Sequence, residues 1–553
     1  MLGKKFYMFT VFLFILAISV SYRHDEADAA QQKSDYYSWF EKLSRIVNLV
    51  DQVYVEDFDK DKVMEGAVEG LLKELDPHSY YISPEKQKSE EEDFNGEFGG
   101  IGIEFEIKDK YLTVITAIPE TPSDELGLQP GDRIVKIDGE SAFDITTEQV
   151  FKRLKGPLGS NVNITISREG VDKLLEYTIQ RAAIPIKSVI AQCMVDNQTG
   201  FVKINRFAKK TAEELKEALI LLKAQGMQRL VLDLRNNPGG LMDQAVEIVD
   251  MFLSGGKKIV YTKGRISQFN EEYFSSSETE KENCPLIILI DAGSASASEI
   301  VSGSLQDNDR AYIIGAKSFG KGLVQRPFPL GDGSVVRITI ARYYTPTGRL
   351  IQRPYDKGIT NYYLDRFRNE DDLTEKEKFE KDSMKKANTY YTLNKNRVVY
   401  GGGGITPDSI VLYDPTSRII EDLYRKRVFS DFAINYFNHH KSSLPSWSND
   451  FDKFRAVFNI DESIKSDFIS LCEKSGIKIT DKEINKDERE KDVDYYTIEE
   501  FDKDFHEISV DLKYHIGKQF FNDISLYPRV KYEDDKHVKV ALDMFDKIDM
   551  MNE

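Results

Sequence analysis

Serines at three alternate positions, followed by a lysine and a glutamine four residues apart, stand within one stretch, Asp291 to Gln325, DAGSASASEIVSGSLQDNDRAYIIGAKSFGKGLVQ. Ser294, Ser296 and Ser298 fall where a short apolar run, Pro285 to Ile290, gives way to an apolar-periodic segment from Glu299. That order reads as buried strand, tight turn and helix start. Such a turn can present a serine hydroxyl beside backbone N–H groups that a helix N-terminus leaves unpaired. A hydroxyl so placed becomes a nucleophile when a base reaches it. No histidine occurs between His78 and His439, so a Ser-His-Asp triad built within this part of the chain is excluded. Lysine can serve instead, because burial lowers its pKa and leaves a neutral amine near neutral pH. Lys321 lies in SFGKGLVQ, and Gln325 four residues beyond it. On chemistry alone any of the three serines could be the nucleophile.

The elements that must position this stretch are legible around it. Gly200 to Ile204 reads as a strand, and Thr211 to Gln225 as an amphipathic helix with Thr211 as N-cap and Gly226 after its end. RLVLDLRNNPGG is a buried strand running into a glycine turn, and Leu241 to Phe252 is a helix. AYIIG is a further strand, and VVRITIARYYTPTG a hairpin. Strands alternating with helices predict an α/β sheet with parallel pairing. Upstream, residues 96–182 change character: a glycine-rich FGGIGIEFEI, further strands, a helix from about Thr147 to Leu154 and a closing hairpin make a small β domain. Residues 31–95 read as an N-terminal helical domain whose second helix ends at LDPHSYYISPE, with His78 as a loop residue beside a proline. A charge-dense insertion at about 365–390 interrupts a core spanning 183–414, and residues 415–553 read as helical.

Composition sets the setting. The formal charge of −18 argues against nucleic acid and against a polybasic membrane contact. Cys193, Cys284 and Cys472 are far apart, with no CxxC or HExxH, so neither a metal site nor any other cofactor is expected. Lys4 and Lys5 precede an apolar stretch over residues 6–20, and Ala27-Asp28-Ala29 offers small residues for cleavage. Residues 1–30 therefore read as a signal peptide or, uncleaved, as an N-terminal anchor to the inner membrane. The expected location is the periplasm or cell envelope.

The segment 96–182 resembles a PDZ domain. Gly99, Gly100, Ile101, Gly102 and Ile103 stand where the carboxylate-binding loop belongs, and Gly131-Asp132-Arg133-Ile134 forms the turn into the next strand. Val150 and Leu154 stand on the helix beside the peptide groove. Glycines let successive N–H groups converge on a terminal carboxylate, and the next strand offers an edge to an extended peptide.

SASASEI followed by SFGKGLVQ, together with LDPHSYYISPE, RAAIPIKSV, LDLRNNPGG and GGGGITPD, resembles the carboxyl-terminal processing, or tail-specific, proteases of serine peptidase family S41. The resemblance covers about residues 35 to 412. It implies a multidomain α+β chain with an N-terminal helical segment, a PDZ-like β domain, a ClpP/crotonase-like α/β protease core and a helical C-terminal region. It also implies Ser296 as nucleophile, Lys321 as base and Gln325 as the residue orienting the lysine. With Ser296 assigned, the N–H of Ala297 is the natural first oxyanion donor, and Gly239 or Gly240 of the LRNNPGG turn the second. The expected partners are protein substrates with free, apolar C-termini, and the C-terminal region is open to self-assembly or an adaptor. The competing readings are a catalytically inactive PDZ-based scaffold of the envelope and a crotonase-type core acting on thioesters.

Overall fold

The structure is a computed structural model describing residues 36–277, 281–364, 386–413, 416–440, 444–482, 484, 490–521, 526–532 and 534–552. The expected signal peptide or anchor, residues 1–30, and most of the charged insertion lie outside the described residues. Among the described residues no helix is long and apolar enough to cross a membrane. The chain divides into two units, up to Glu74 and from Leu75 onward. In the first, a helix over residues 36–53 is followed by Lys60–Lys73, whose first turn is capped by the Asp59 carboxylate accepting from the Lys62 N–H.

The division differs from the domain limits expected above. LDPHSYYISPE follows directly on the end of the Lys60–Lys73 helix but belongs to the larger unit. Strand β1 (Tyr80–Ile82) pairs antiparallel with Val335–Arg337, far along the chain.

The β domain follows as β2 (Ile103–Lys108), β3 (Tyr111–Ala117), β4 (Arg133–Ile137), helix α1 (Thr147–Leu154), β5 (Asn161–Ser167) and β6 (Leu175–Gln180). These strands lie in the order β2-β3-β4-β5-β6, which leaves β2 at an edge. Thr146 and Gln149 form a reciprocal capping box that fixes the start of α1.

The core is built on six strands: β7 (Val189–Met194), β8 (Thr199–Ile204), β9 (Arg229–Asp233), β12 (Leu286–Ile290), β13 (Tyr312–Gly315) and β16 (Ser409–Ile410), adjacent in that order. All neighbours are parallel except β7 with β8. Helices α2 (Thr211–Ala224), α3 (Met242–Phe252) and α4 (Ala297–Asp307) cover one face, against Leu230, Leu232, Leu286, Ile288 and Ile290. Thr211 is the first residue of α2 rather than its cap. Lys210 stands at the cap, and Glu214 accepts instead from the N–H groups of Ser188 and Val189. A second sheet carries β10 (Lys258–Gly264), β11 (Glu272–Phe274), β14 (Leu323–Pro329) and β15 (Val335–Tyr344), with β1 at the far side of β15.

The C-terminal region is not wholly helical. Beside α5 (Val428–His440) and α6 (Ile498–Phe521), Ile477–Thr480 and Asp494–Thr497 pair as two parallel strands. Phe429, Phe432, Phe454, Phe468 and Phe501 fill its own core. The final helix, α7 (Lys536–Asn552), leaves that cluster for the protease sheet. Val538, Ala541 and Phe545 pack on Phe201, Val231, Ile287, Leu289 and Ile314. These are the alternate positions of β8, β9, β12 and β13. PLIILI is apolar throughout because its two faces are buried under different helices.

Candidate active site

Parallel strands β9 and β12 pair with Asp233 beside Leu289, so the turns that follow them emerge side by side at the carboxyl end of the sheet. Ligand and reaction sites of open α/β sheets gather at that end. The two turns are stitched together. Asp291 Oδ1 accepts the Asn236 N–H (2.9 Å), Ser294 Oγ donates to the Leu234 carbonyl (2.8 Å), and the Asn237 carbonyl accepts from the Ala295 N–H (3.0 Å) and from Ser298 Oγ (2.9 Å). Ser294 and Ser298 are thus fully buried and bonded into the scaffold. Ser296 between them is partly exposed at the cap position of α4, with φ 54° and ψ −113°. A non-glycine residue at positive φ holds about 1–3 kcal/mol of strain and persists only where its surroundings enforce it.

Glu299 does the enforcing. Its fully buried carboxylate accepts from the backbone N–H of Ser296 (2.9 Å), Gly320 (2.7 Å) and Lys321 (2.9 Å) and from Ser318 Oγ (2.5 Å). Burial pushes its pKa up to about 7, while the four donors favour the carboxylate. One side chain therefore ties the Ser296 turn to the loop carrying Lys321. The Tyr343 hydroxyl adds a second tie, lying 3.2 Å from the Ser296 carbonyl oxygen and hydrogen-bonded to that of Lys321. Neither residue was singled out from sequence. The available signal for Glu299 was an acid in the first turn of a helix that is otherwise small or apolar there.

Lys321 sits between β13 and β14 and makes no ion pair among the described residues. Burial, and then the Arg337 charge, lower its pKa to about 8, against smaller opposing effects of Glu299 and Asp76. Gln325 is nearby on β14, but its amide donates to Thr339 Oγ1 at 3.4 Å rather than to the lysine. Thr339 Oγ1 in turn donates to Asp76 (3.1 Å). His78 lies in the loop beside Pro77, as expected, but not at the surface. It is buried, its Nε2 is 2.8 Å from the Tyr362 hydroxyl, and desolvation followed by the Lys321 charge lowers its pKa to about 4. The β1–β15 pairing brings it there.

Gly239, at φ +96°, lies against the Ser296 turn: a Cβ on it would stand 2.8 Å from Ser296 Cβ and 2.9 Å from the Ala297 nitrogen. Its own N–H donates to Asn237 Oδ1 (2.9 Å). Gly240 is exposed, at φ +150°, its Cα against the Phe207 carbonyl. Ala297 is the first residue of α4, whose N–H has no intrahelical acceptor.

In the β domain, Gly99 and Gly100 pair with Ala183 and Ala182 in a two-stranded ribbon, leaving Ile101 and Gly102 as the turn into β2, which begins at Ile103. Val150 and Leu154 do not stand open on a groove wall; they are buried in the domain core. The half-exposed apolar residue of α1 is Phe151, whose ring meets that of Phe105 on β2 edge-on at 5.5 Å.

Similarity to known proteins agrees with this geometry. The sequence pattern of peptidase family S41 matches residues 198–362, and that of the PDZ domain residues 113–168. The N-terminal domain of the activating protease CtpB matches residues 6–86, and a family of unknown function residues 419–492. A carboxy-terminal-processing protease of Bartonella bacilliformis is 40% identical over 320 residues, 57% of this chain and 73% of that protein. The carboxy-terminal processing protease CtpA of Bacillus subtilis is 33% identical over 323 residues, 58% of this chain and 68% of that protein. Among solved structures, the photosystem II D1 C-terminal processing protease is 29% identical, covering 57% of this chain and 84% of that one, with a TM-score of 0.33.

Proposed function

Because the chain belongs to peptidase family S41, among the carboxy-terminal processing proteases, we propose that it is a serine endopeptidase working through a Ser296–Lys321 dyad. The observation that carries this reading is the shared Glu299 carboxylate, which takes the backbone N–H of both residues and makes them one unit. Neutral Lys321 removes the Ser296 proton as the hydroxyl attacks a peptide carbonyl. The oxyanion is met by the Ala297 N–H and by the Gly239–Gly240 turn, and with the Gly239 N–H held by Asn237, Gly240 is the donor best placed to serve. The lysine ammonium then protonates the leaving amine, and water activated by the same amine releases the acyl group. Gln325 acts on the lysine only after turning from Thr339.

The substrates are proteins of the extracytoplasmic space, reached by export of the chain. Their C-terminal tails add to the edge of β2 from its Ile103 end, with the terminal carboxylate at the Ile101–Gly102 turn and an apolar last side chain near Phe105 and Phe151, while at the far end Arg427 takes the Ile107 carbonyl (3.0 Å). The scaffold reading loses ground to the depressed Lys321 pKa, which a binding protein has no use for.

The deciding experiment compares wild type with Ser296→Ala on casein and with a fluorophosphonate reagent. Wild type is expected to cleave and to be labelled once; the variant should do neither while keeping its circular dichroism spectrum. Cleavage by Ser296→Ala would overturn the dyad. For the tail, a peptide ending in a free carboxylate should be cut at least tenfold faster, in kcat/KM, than its C-terminal amide; equal rates would remove the capture role.

A further inference from the structure

The last described helix reaches the active site through one carboxylate. Asp535 immediately precedes α7, accepts the His537 N–H at 2.9 Å and so caps that helix. The same carboxylate takes both outer nitrogens of Arg235: Nη1 to Oδ1 at 3.1 Å and Nη2 to Oδ2 at 2.7 Å. The rest of the Arg235 guanidinium holds Asp233, Nε to Oδ1 at 2.8 Å and Nη2 to Oδ2 at 2.7 Å. Lys203 completes the group, donating to Asp233 (2.9 Å) and to the Arg235 carbonyl (3.3 Å). Two acids and two bases thus balance at the carboxyl end of β9, with the Arg235 side chain only 6% exposed. Without Asp535 the cluster carries an unbalanced positive charge and Arg235 loses its outer acceptors in a site that water barely reaches.

Arg235 is followed directly by Asn236 and Asn237, the residues that join the glycine turn to the Ser296 turn. The position of the guanidinium therefore sets where the turn begins. Asp535 lies outside all four matched sequence stretches, so this contact belongs to the part of the chain added to the shared protease core. We propose that Asp535 is a positioning residue for peptide hydrolysis: through Arg235 it holds the 236–240 turn in register with Ser296. The proposal rests on the reading of that turn as an oxyanion donor.

The test uses the full chain and a tailed, internally quenched peptide. Asp535→Asn keeps the shape and an effective helix cap but removes the charge. It is expected to lower kcat about tenfold with KM within twofold of wild type. Asp546→Asn is the control. It gives up a 3.0 Å bond to Arg229 from further along the same helix and should leave kcat within twofold. Asp535→Asn at wild-type kcat, or an equal loss in both variants, overturns the proposal. Should Asp535→Asn not fold, Asp535→Glu takes its place: a loss of threefold or more in kcat at wild-type KM supports the proposal, and wild-type kcat overturns it. Fluorophosphonate labelling separates the two levels. If wild type is not labelled, or Ser296→Ala still cleaves, the active-site reading itself fails; if labelling is intact and Asp535→Asn behaves as wild type, only the role of Asp535 fails.

Discussion

Lys321→Met is expected to abolish proteolysis while making the protein more stable. Methionine fills a similar volume without an amine, so the nucleophile loses its base. General bases contribute about 10²–10⁴-fold, and residues acting as a unit cost more when one is removed; we expect a loss of about 10⁴-fold in kcat. The stability gain follows from linkage. The Lys321 pKa is about 8 in the folded protein, against about 10.4 for a free lysine. Between those values the unfolded chain binds the extra proton, so the folding penalty of the buried amine is complete below pH 8 and fades as pH rises toward 10.4. Removing the amine should therefore raise the unfolding free energy at pH 7 by about 3 kcal/mol, read from denaturant midpoints at unchanged slope. The wild-type rate should rise with pH through about 8 and level off as the amine loses its proton. A flat profile from pH 6 to 9 would be incompatible with lysine as the base.

Gly239→Ala is the second large effect. The added methyl would stand 2.7 Å from the Ala295 carbonyl oxygen and 2.9 Å from the Ala297 nitrogen, on a backbone at φ +96° that alanine rarely adopts. On the proposed mechanism it crowds the Ala297 N–H, the first oxyanion donor. Displacing that donor is expected to cost about 10²–10³ in kcat, as loss of one donor does, and strain and crowding should together remove about 2 kcal/mol of stability. Pre-steady-state acylation of a chromogenic ester locates the defect: the burst should slow with its amplitude intact. An unchanged burst rate would detach this glycine from the oxyanion.

What could be read in advance follows the range of the interactions. β9 and β12 were legible because their apolar runs and glycine turns are local. Ser296 and Lys321 could be singled out together because family spacing survives in sequence, whereas the bond of Gln325 to Thr339 could not be read from it. Glu299 was not legible, since its role depends on Ser318, Gly320 and Lys321 returning across α4. The burial of His78 and the part played by Asp76 were not legible for the same reason: Tyr80 pairs with Arg337, and no local pattern signals so distant a partner. Val150 and Leu154 share one helical face, which sequence identifies as apolar without saying whether that face meets core or peptide. The unbroken PLIILI run did hold an unused clue. A strand buried on both sides requires a second covering layer, and α7, with Val538, Ala541 and Phe545 on one stripe, provides it.

That covering layer also orders events during synthesis. Ser296 and Lys321 leave the ribosome long before Asp535 and α7, and until α7 arrives the face formed by Phe201, Val231, Ile287 and Leu289 has no cover. Domains assemble as units while they are made, and this one cannot close until a segment far downstream has emerged. On the proposed dyad the active site is therefore completed last, and the nascent chain should cut little, itself included.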